Sequence, residues 1–301
     1  MPSQQHEAIV AAFAAQLANP PATPPSVEET RAGFVAMTSG FTVPGDVRVE
    51  RVDAGGVAAA WISTPGARDD GAILYLHGGG YILGSIQTHT ELCSRIVRAT
   101  GLRALAIDYR LAPEHPYPAA VEDAVAAWRW LRGQGLDASR LAIAGDSAGG
   151  GLTLATLAAL RERGEALPAC AVCLSPFTDL TSARPDEPND DPLLTNEAIQ
   201  MMAESYLQGA EARQPTASPV HADFHGFPPL LLQVGTRERL LSDSLRVADR
   251  ARAAGVDVTL EKGPGLIHVW HLFGPDVPES RDAVTRIGAF VRKHTLQERP
   301  G

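Results

Sequence analysis

From about residue 71 onward, short apolar runs alternate with segments whose apolar residues recur at helical spacing. "GAILYLH" (71–77), "LRALAIDY" (102–109), "LAIAGDS" (141–147), "ACAVCLSPF" (169–177), "PPLLLQVGT" (228–236) and "VDVTLEKG" (256–263) read as strands. Their near-continuous hydrophobicity suits strands covered on both faces. Between them, "PAAVEDAVAAWRWLRGQG", "LTLATLAALRERG" and "SDSLRVADRARAAG" carry the period of amphipathic helices. This alternation predicts an α/β fold: a mostly parallel central sheet with helices on both faces. The earlier "VRVERVDAGGVAAAWISTP" predicts a hairpin that adds antiparallel strands at one edge.

Two regions break the alternation. Residues 1–45 hold a helix with Ile9, Val10, Phe13 and Leu17 on one face, a Pro-rich linker "NPPATPPS" and a second helical stretch. Residues 181–225 hold a polar, Pro-rich loop, "TSARPDEPNDDP", and then another helix. Both read as parts of a helical cap over one end of the sheet. The chain then divides into a first cap segment (1–45), the first part of the core (46–180), a second cap segment (181–225) and the last part of the core (226–301).

Composition narrows the classes. A chain of 301 residues that is 45% hydrophobic and 20% charged can bury one large core. Its formal charge of −9 argues against nucleic acid or an anionic membrane surface as partner. No run of ~18 apolar residues suggests a membrane span. The N-terminal stretch has no Lys or Arg ahead of its apolar part, so no secretory signal and a cytoplasmic location are expected. Cys170 and Cys173 form a C-x-x-C, but on a strand positions three apart face opposite ways, and no second pair exists. They read as buried thiols.

Candidate chemistry begins at "LAIAGDSAGGG" (141–151), where Ser147 stands in a G-x-S-x-G between a strand and a helix. Gly145, Ala148 and Gly149 relieve crowding in so sharp a turn and leave the Ser147 hydroxyl projecting from the carboxyl end of the sheet. The helix that follows aims its first N–H groups at the same spot. A phosphate cradle has a similar outline, but no P-loop Gly-Lys-Ser/Thr is present and Asp146 would repel an anion. A second glycine run, "LYLHGGGYILGS", follows another strand. Bare backbone there suits an oxyanion hole, with N–H donors from Gly79, Gly80 and Ala148. His77 reads as a residue that hydrogen-bonds within that loop.

"HGGG" (77–80), "DYRLAPEHPYPAA" (108–120), "GDSAGG" (145–150) and "SPFTDLT" (175–181), in this order, resemble the hormone-sensitive-lipase-like family of bacterial carboxylesterases among the α/β-hydrolases. The resemblance implies a capped α/β-hydrolase that hydrolyses mostly short-chain carboxylic esters, needs no metal or other cofactor, and dimerises as relatives often do. It also implies the chain order Ser, acid, His, each after a strand. His268, in "GPGLIHVWHLF", matches the position of the base, with His271 a neighbour; His221 and His225 precede a strand and read as surface or cap residues. The family's Asp-Pro-Leu is Glu-Arg-Leu here, which puts Glu238 in the acid's position. Asp243 is the alternative, although a carboxylate in the first turn of a helix is explained by the dipole alone.

Other residues have structural readings. Asp108 and Arg110 are expected as an ion pair or loop brace, Asp146 and Asp179 as hydrogen-bonded supports, and at least one of Trp128 and Trp130 as core. Tyr81 is expected either to line the acyl pocket or to pack in the core. The function expected is hydrolysis of a small-molecule carboxylic ester through an acyl-serine. The alternatives are a lactonase or amidase with the same triad, or a non-catalytic small-molecule receptor like the plant gibberellin receptors, which resemble this family without its histidine. Long-chain lipase action fits poorly with so polar a loop as "ARPDEPNDDP".

Overall fold

The computed structural model describes residues 1–19, 21, 23, 25–181 and 190–296. Its centre is an eight-stranded sheet in the order β1-β2-β4-β3-β5-β6-β7-β8. The strands are β1 (Arg48–Asp53), β2 (Ala58–Ser63), β3 (Arg68–Leu76), β4 (Leu102–Ile107), β5 (Leu141–Asp146), β6 (Cys170–Leu174), β7 (Leu230–Gly235) and β8 (Val258–Gly263). β1 and β2 form the expected antiparallel hairpin, β2 also runs antiparallel to β4, and every other pairing is parallel.

The alternating side chains of the central strands sort onto two layers of core. Leu74, Leu76, Ile143, Ala171 and Cys173 face one way. They meet α4 (Ala119–Gly133), α5 (Ala148–Glu162) and α7 (Leu241–Ala253), which contribute Trp128, Leu152 and Val247. Ile73, Tyr75, Cys170 and Val172 face the other way. They meet α3 (Ile86–Thr100) and α8 (Pro278–Thr295) through Ile96, Val97 and Ile287. Cys170 and Cys173 thus lie on opposite faces, both buried and unpaired. β8 departs from the expectation of strands covered on both faces: it is the last strand of the sheet, and its residues are half-buried or exposed.

The remaining helices are α1 (Gln4–Ala18), α2 (Val27–Thr38) and α6 (Asn196–Leu207). Val10, with Ile9 and Phe13, packs on Ile267, Trp270 and Phe273, just after the last strand. Leu17 was expected on that face but is 51% exposed, because the contact ends one turn earlier. In α2, Arg31 donates to the carbonyls of Ile82 (2.8 Å) and Ala112 (3.0 Å) and pairs with Glu114 at 2.8 Å. The acidic tract "ARPDEPNDDP" lies outside the described residues as far as residue 189. Among the described residues, no helix is long and apolar enough to cross a membrane.

Candidate active site

Ser147 stands at the carboxyl end of β5, in the middle of the sheet, and is the residue that precedes α5. Its φ of +52° lies in the left-handed region, where a residue with a Cβ is strained. Main-chain bonds hold it there: its N–H donates to Leu174 (2.8 Å), and its carbonyl accepts from Phe177 (2.9 Å) and Gly151 (3.0 Å). The hydroxyl caps no helical N–H. The glycines are needed because a Cβ at Gly145 would strike the main chain of Gly149 and Leu76, and one at Gly149 that of Leu76 and His77.

The Ser147 hydroxyl lies 2.9 Å from Nε2 of His268, whose Nδ1 lies 2.9 Å from Oε2 of Glu238. A carboxylate only accepts, so the ring proton sits on Nδ1, and Nε2 is left to accept from the serine. Glu238 is fully buried. Its other oxygen accepts from the Gly235 N–H and from the Ser175 hydroxyl (2.8 Å). The largest influence on the buried His268 is desolvation, which lowers its pKa. The hydrogen bond and charge of Glu238, with the charges of Asp191 and Asp146, outweigh it and set the pKa above the ordinary imidazole value.

Asp243, the alternative acid, points elsewhere. It is buried and accepts from the N–H groups of Thr178 (2.7 Å) and Asp179 (2.9 Å). It braces the loop after β6, which is more than the dipole account of it required. Asp179 in turn accepts from Thr181 (2.9 Å) and Arg246 (2.6 Å).

The "HGGG" loop is tied directly to the serine turn. The Gly78 N–H donates to Asp146 Oδ1 at 3.1 Å, and Asp146 also receives the Tyr75 hydroxyl at 2.8 Å and faces His89 at 3.2 Å. Gly79 and Gly80 have φ of +118° and +62°, which favours glycine, and the Gly79 carbonyl closes a tight turn by accepting from Leu83 at 2.8 Å. Among the described residues, no acceptor engages the N–H of Gly79, Gly80 or Ala148. His77 behaves as expected: its Nδ1 bonds the Gly78 carbonyl at 2.8 Å and its ring stacks on Tyr109 at 4.2 Å. Burial, then the neighbouring His89, lowers its pKa to about 4, so it is a neutral donor.

Ser147, His268, Gly79 and Gly80 all face one cavity of about 440 Å³. Ile9 and Phe13 of α1, Phe34 and Met37 of α2, Met202 of α6 and Leu193 just before α6 supply an apolar wall. Tyr81 does not belong to this wall. It is fully buried with its ring stacked on Tyr206 at 3.9 Å, so of its two readings core packing is the correct one. Asp108 and Arg110 are braces, but with other partners than each other. Asp108 holds Arg51 (2.9 Å) and the Ile86 N–H (2.6 Å), while Arg110 holds Asp123 at 2.8 Å. Trp128 is core, His225 is exposed, and His271 is buried with Nε2 2.9 Å from Gln233 Oε1.

Three residues escaped the sequence reading. His89 sits mid-helix in "THTE", Ser175 opens the quoted "SPFTDLT", and Asp191 ends an acidic tract that looked solvated. Asp191 is buried, and its Oδ2 accepts the main-chain N–H of His268 at 2.9 Å.

An acid-histidine-serine chain facing an apolar cavity, on a sheet of this order, defines an acyl-transfer hydrolase. Residues 73–272 match the family described as the alpha/beta hydrolase fold, and the chain belongs to that family. It is similar to an acetyl-hydrolase of Streptomyces hygroscopicus, with 47% identity over 255 residues, 84% of each chain. It is also similar to the crystal structure of an esterase from the bacterial hormone-sensitive lipase family (TM-score 0.94, 45% identity, covering 98% of this chain and 99% of that one). The esterase EstE5, in a structure soaked with p-nitrophenyl butyrate, gives a TM-score of 0.91 at 44% identity, covering 98% and 100%. Within the fold family, the chain is a hormone-sensitive-lipase-like carboxylic ester hydrolase.

Proposed function

We propose that the enzyme hydrolyses short-chain carboxylic esters through an acyl-serine formed on Ser147. His268 takes the Ser147 proton on Nε2 as the oxygen attacks the ester carbonyl. The carbonyl electron pair moves onto oxygen, where the N–H groups of Gly79, Gly80 and Ala148 receive it. Collapse expels the alcohol, which leaves with the proton from His268. Water, deprotonated by the same nitrogen, then repeats the attack and releases the acid. Glu238 fixes the tautomer and stabilises the imidazolium without taking its proton.

The observation that carries this reading is the unbroken chain of two 2.9 Å contacts from Glu238 through His268 to Ser147, opening on the cavity that holds the glycine loop. The short-chain preference rests on the size of that cavity, with the similarity to an acetyl-hydrolase as support. A cytoplasmic location belongs to the same proposal and is supported by three buried thiols with no disulfide among them.

The test is Ser147→Ala, assayed on p-nitrophenyl esters of graded acyl length with a lactone and an amide alongside. Activity is expected to fall at least about a thousandfold, with unchanged circular dichroism. Retained turnover overturns the mechanism, and a lactone or amide preferred over every ester overturns the substrate class.

A further inference from the structure

Carboxylates from three elements act on His268: Glu238, in the loop after β7, bonds its ring, Asp146, at the end of β5, acts through its charge, and Asp191, in the second cap segment, accepts its main-chain N–H. The first two belong to the core and the third does not. Asp191 is 4% exposed. Its Oδ1 accepts the Leu193 N–H at 2.9 Å, and Leu193 is part of the cavity wall. Its Oδ2 accepts the His268 N–H at 2.9 Å. The preceding residue grips the other catalytic loop: Arg237, next to Glu238, donates to the Asp190 carboxylate at 2.9 Å and to its carbonyl at 3.1 Å. The same guanidinium lies 4.0 Å from Glu7 of α1.

We propose that Asp191 is a positioning residue carried by the cap: it holds the main chain of His268 and adds a second negative charge beside the imidazole, so the base reaches full strength only when the second cap segment is docked. The proposal rests on His268 being the base. Each N–H takes its own carboxylate oxygen, Leu193 on Oδ1 and His268 on Oδ2, so a neutral asparagine would keep one acceptor and turn its amide N–H groups toward the other donor. Holding the turn still does not require a charge that costs desolvation. The charge becomes useful when Nε2 takes the serine proton and the ring turns cationic. Burial raises the Asp191 pKa while the charge of His268 lowers it, and the charge of Asp191 is one of the influences that raise His268.

The decisive measurement is the acid limb of kcat/KM for p-nitrophenyl acetate in wild type, Asp191→Asn, Asp191→Ser and Asp191→Glu. Asn and Ser are neutral and each keeps one acceptor oxygen in place of two, so failure of one to fold leaves the other to be read, and the shift of the limb, not the plateau alone, reports the lost charge. Both neutral variants are expected to move the limb about half a unit to one unit toward acid, with a several-fold lower plateau in kcat and little change in KM. Asp191→Glu keeps the charge and is expected to keep the limb where wild type has it. A limb that stays in place in a folded neutral variant overturns the proposal and leaves Asp191 as a turn-forming residue. A wild-type profile without any acid limb instead overturns His268 as base, so the two failures are distinct.

Discussion

The Ser175 hydroxyl donates to Oε1 of Glu238 at 2.8 Å while accepting the Val269 N–H at 3.2 Å, so one side chain links the Glu238 carboxylate to the residue after His268. Ser175 has a φ of +45°, and its own N–H is fixed to the Gln233 carbonyl at 2.7 Å, so the hydroxyl is placed by strained backbone held through its N–H. Removing it leaves Oε1 with the Gly235 N–H alone. A lost hydrogen bond to a buried charge is worth about 1.5–3 kcal/mol. Ser175→Ala is therefore expected to lower kcat by about tenfold or more, with KM changed little. Steady-state kinetics beside a melting curve separates this from unfolding.

The pH dependence of turnover follows from which charges surround the base. His268 must be neutral to accept from Ser147, and its pKa lies above the ordinary value because the carboxylates outweigh burial. The acid limb of kcat/KM is thus expected above ~6.5, with activity lost as the pH drops through it. Glu238→Gln removes the nearest of these charges, so any remaining activity is expected to show a limb shifted toward acid. A limb that moves toward base in that variant would contradict the assignment.

The parts of this architecture legible in the sequence are those whose chemistry is local. Gly145 and Gly149 betray the serine turn because they flank Ser147 at fixed spacing, although part of the main chain that fills the space of their Cβ atoms comes from Leu76 and His77. Gly79 and Gly80 are visible as a glycine run, and their positive φ favours that residue. Glu238 and His268 are found by their match to the positions that the family resemblance implies, each in the loop that follows a strand. What stays hidden depends on contacts distant in sequence. Asp191 and His268 are 77 residues apart, Ser175 and Glu238 are 63 apart, and His89 and Asp146 are 57 apart. Asp191 stands in a run of polar residues, and nothing local marks it as buried against the main chain of His268. Tyr81 next to the glycine loop looks like a pocket residue until Tyr206 stacks on it.

Two neutral, buried imidazoles make the fold sensitive to acid. Burial lowers the pKa of His271 to about 3 and, with His89 beside it, that of His77 to about 4. In the unfolded chain both titrate near ~6.5. Below that value the unfolded state binds protons that the folded state refuses. Their stabilisation is therefore complete above ~6.5 and is lost as the pH falls toward the folded values, at about 1.4 kcal/mol per pH unit for each histidine. Urea midpoints are expected to drop steadily from pH 7 to pH 5. In His271→Gln, which can still donate to Gln233, that drop is expected to be about half as steep.

The two faces of glycine in this protein can be told apart by one added methyl group. At Gly149 a Cβ would lie 2.6 Å from the Leu76 carbonyl carbon, and closer still to oxygens of Leu76 and His77. Those atoms belong to β3 and its end, which is paired on both sides, so neither they nor α5 can give way. At Gly133, the last residue of α4, a Cβ meets nothing within 4 Å. Gly149→Ala is expected to cost at least about 3 kcal/mol and, in whatever fraction folds, to lose ester hydrolysis because the turn that presents Ser147 must shift. Gly133→Ala is expected to gain up to about 1 kcal/mol from helix propensity and a stiffer unfolded chain, with kinetics unchanged. Chemical denaturation of the two variants checks both signs at once. A Gly149→Ala enzyme with wild-type activity would mean that the strand and the helix do not cross as closely as the geometry requires.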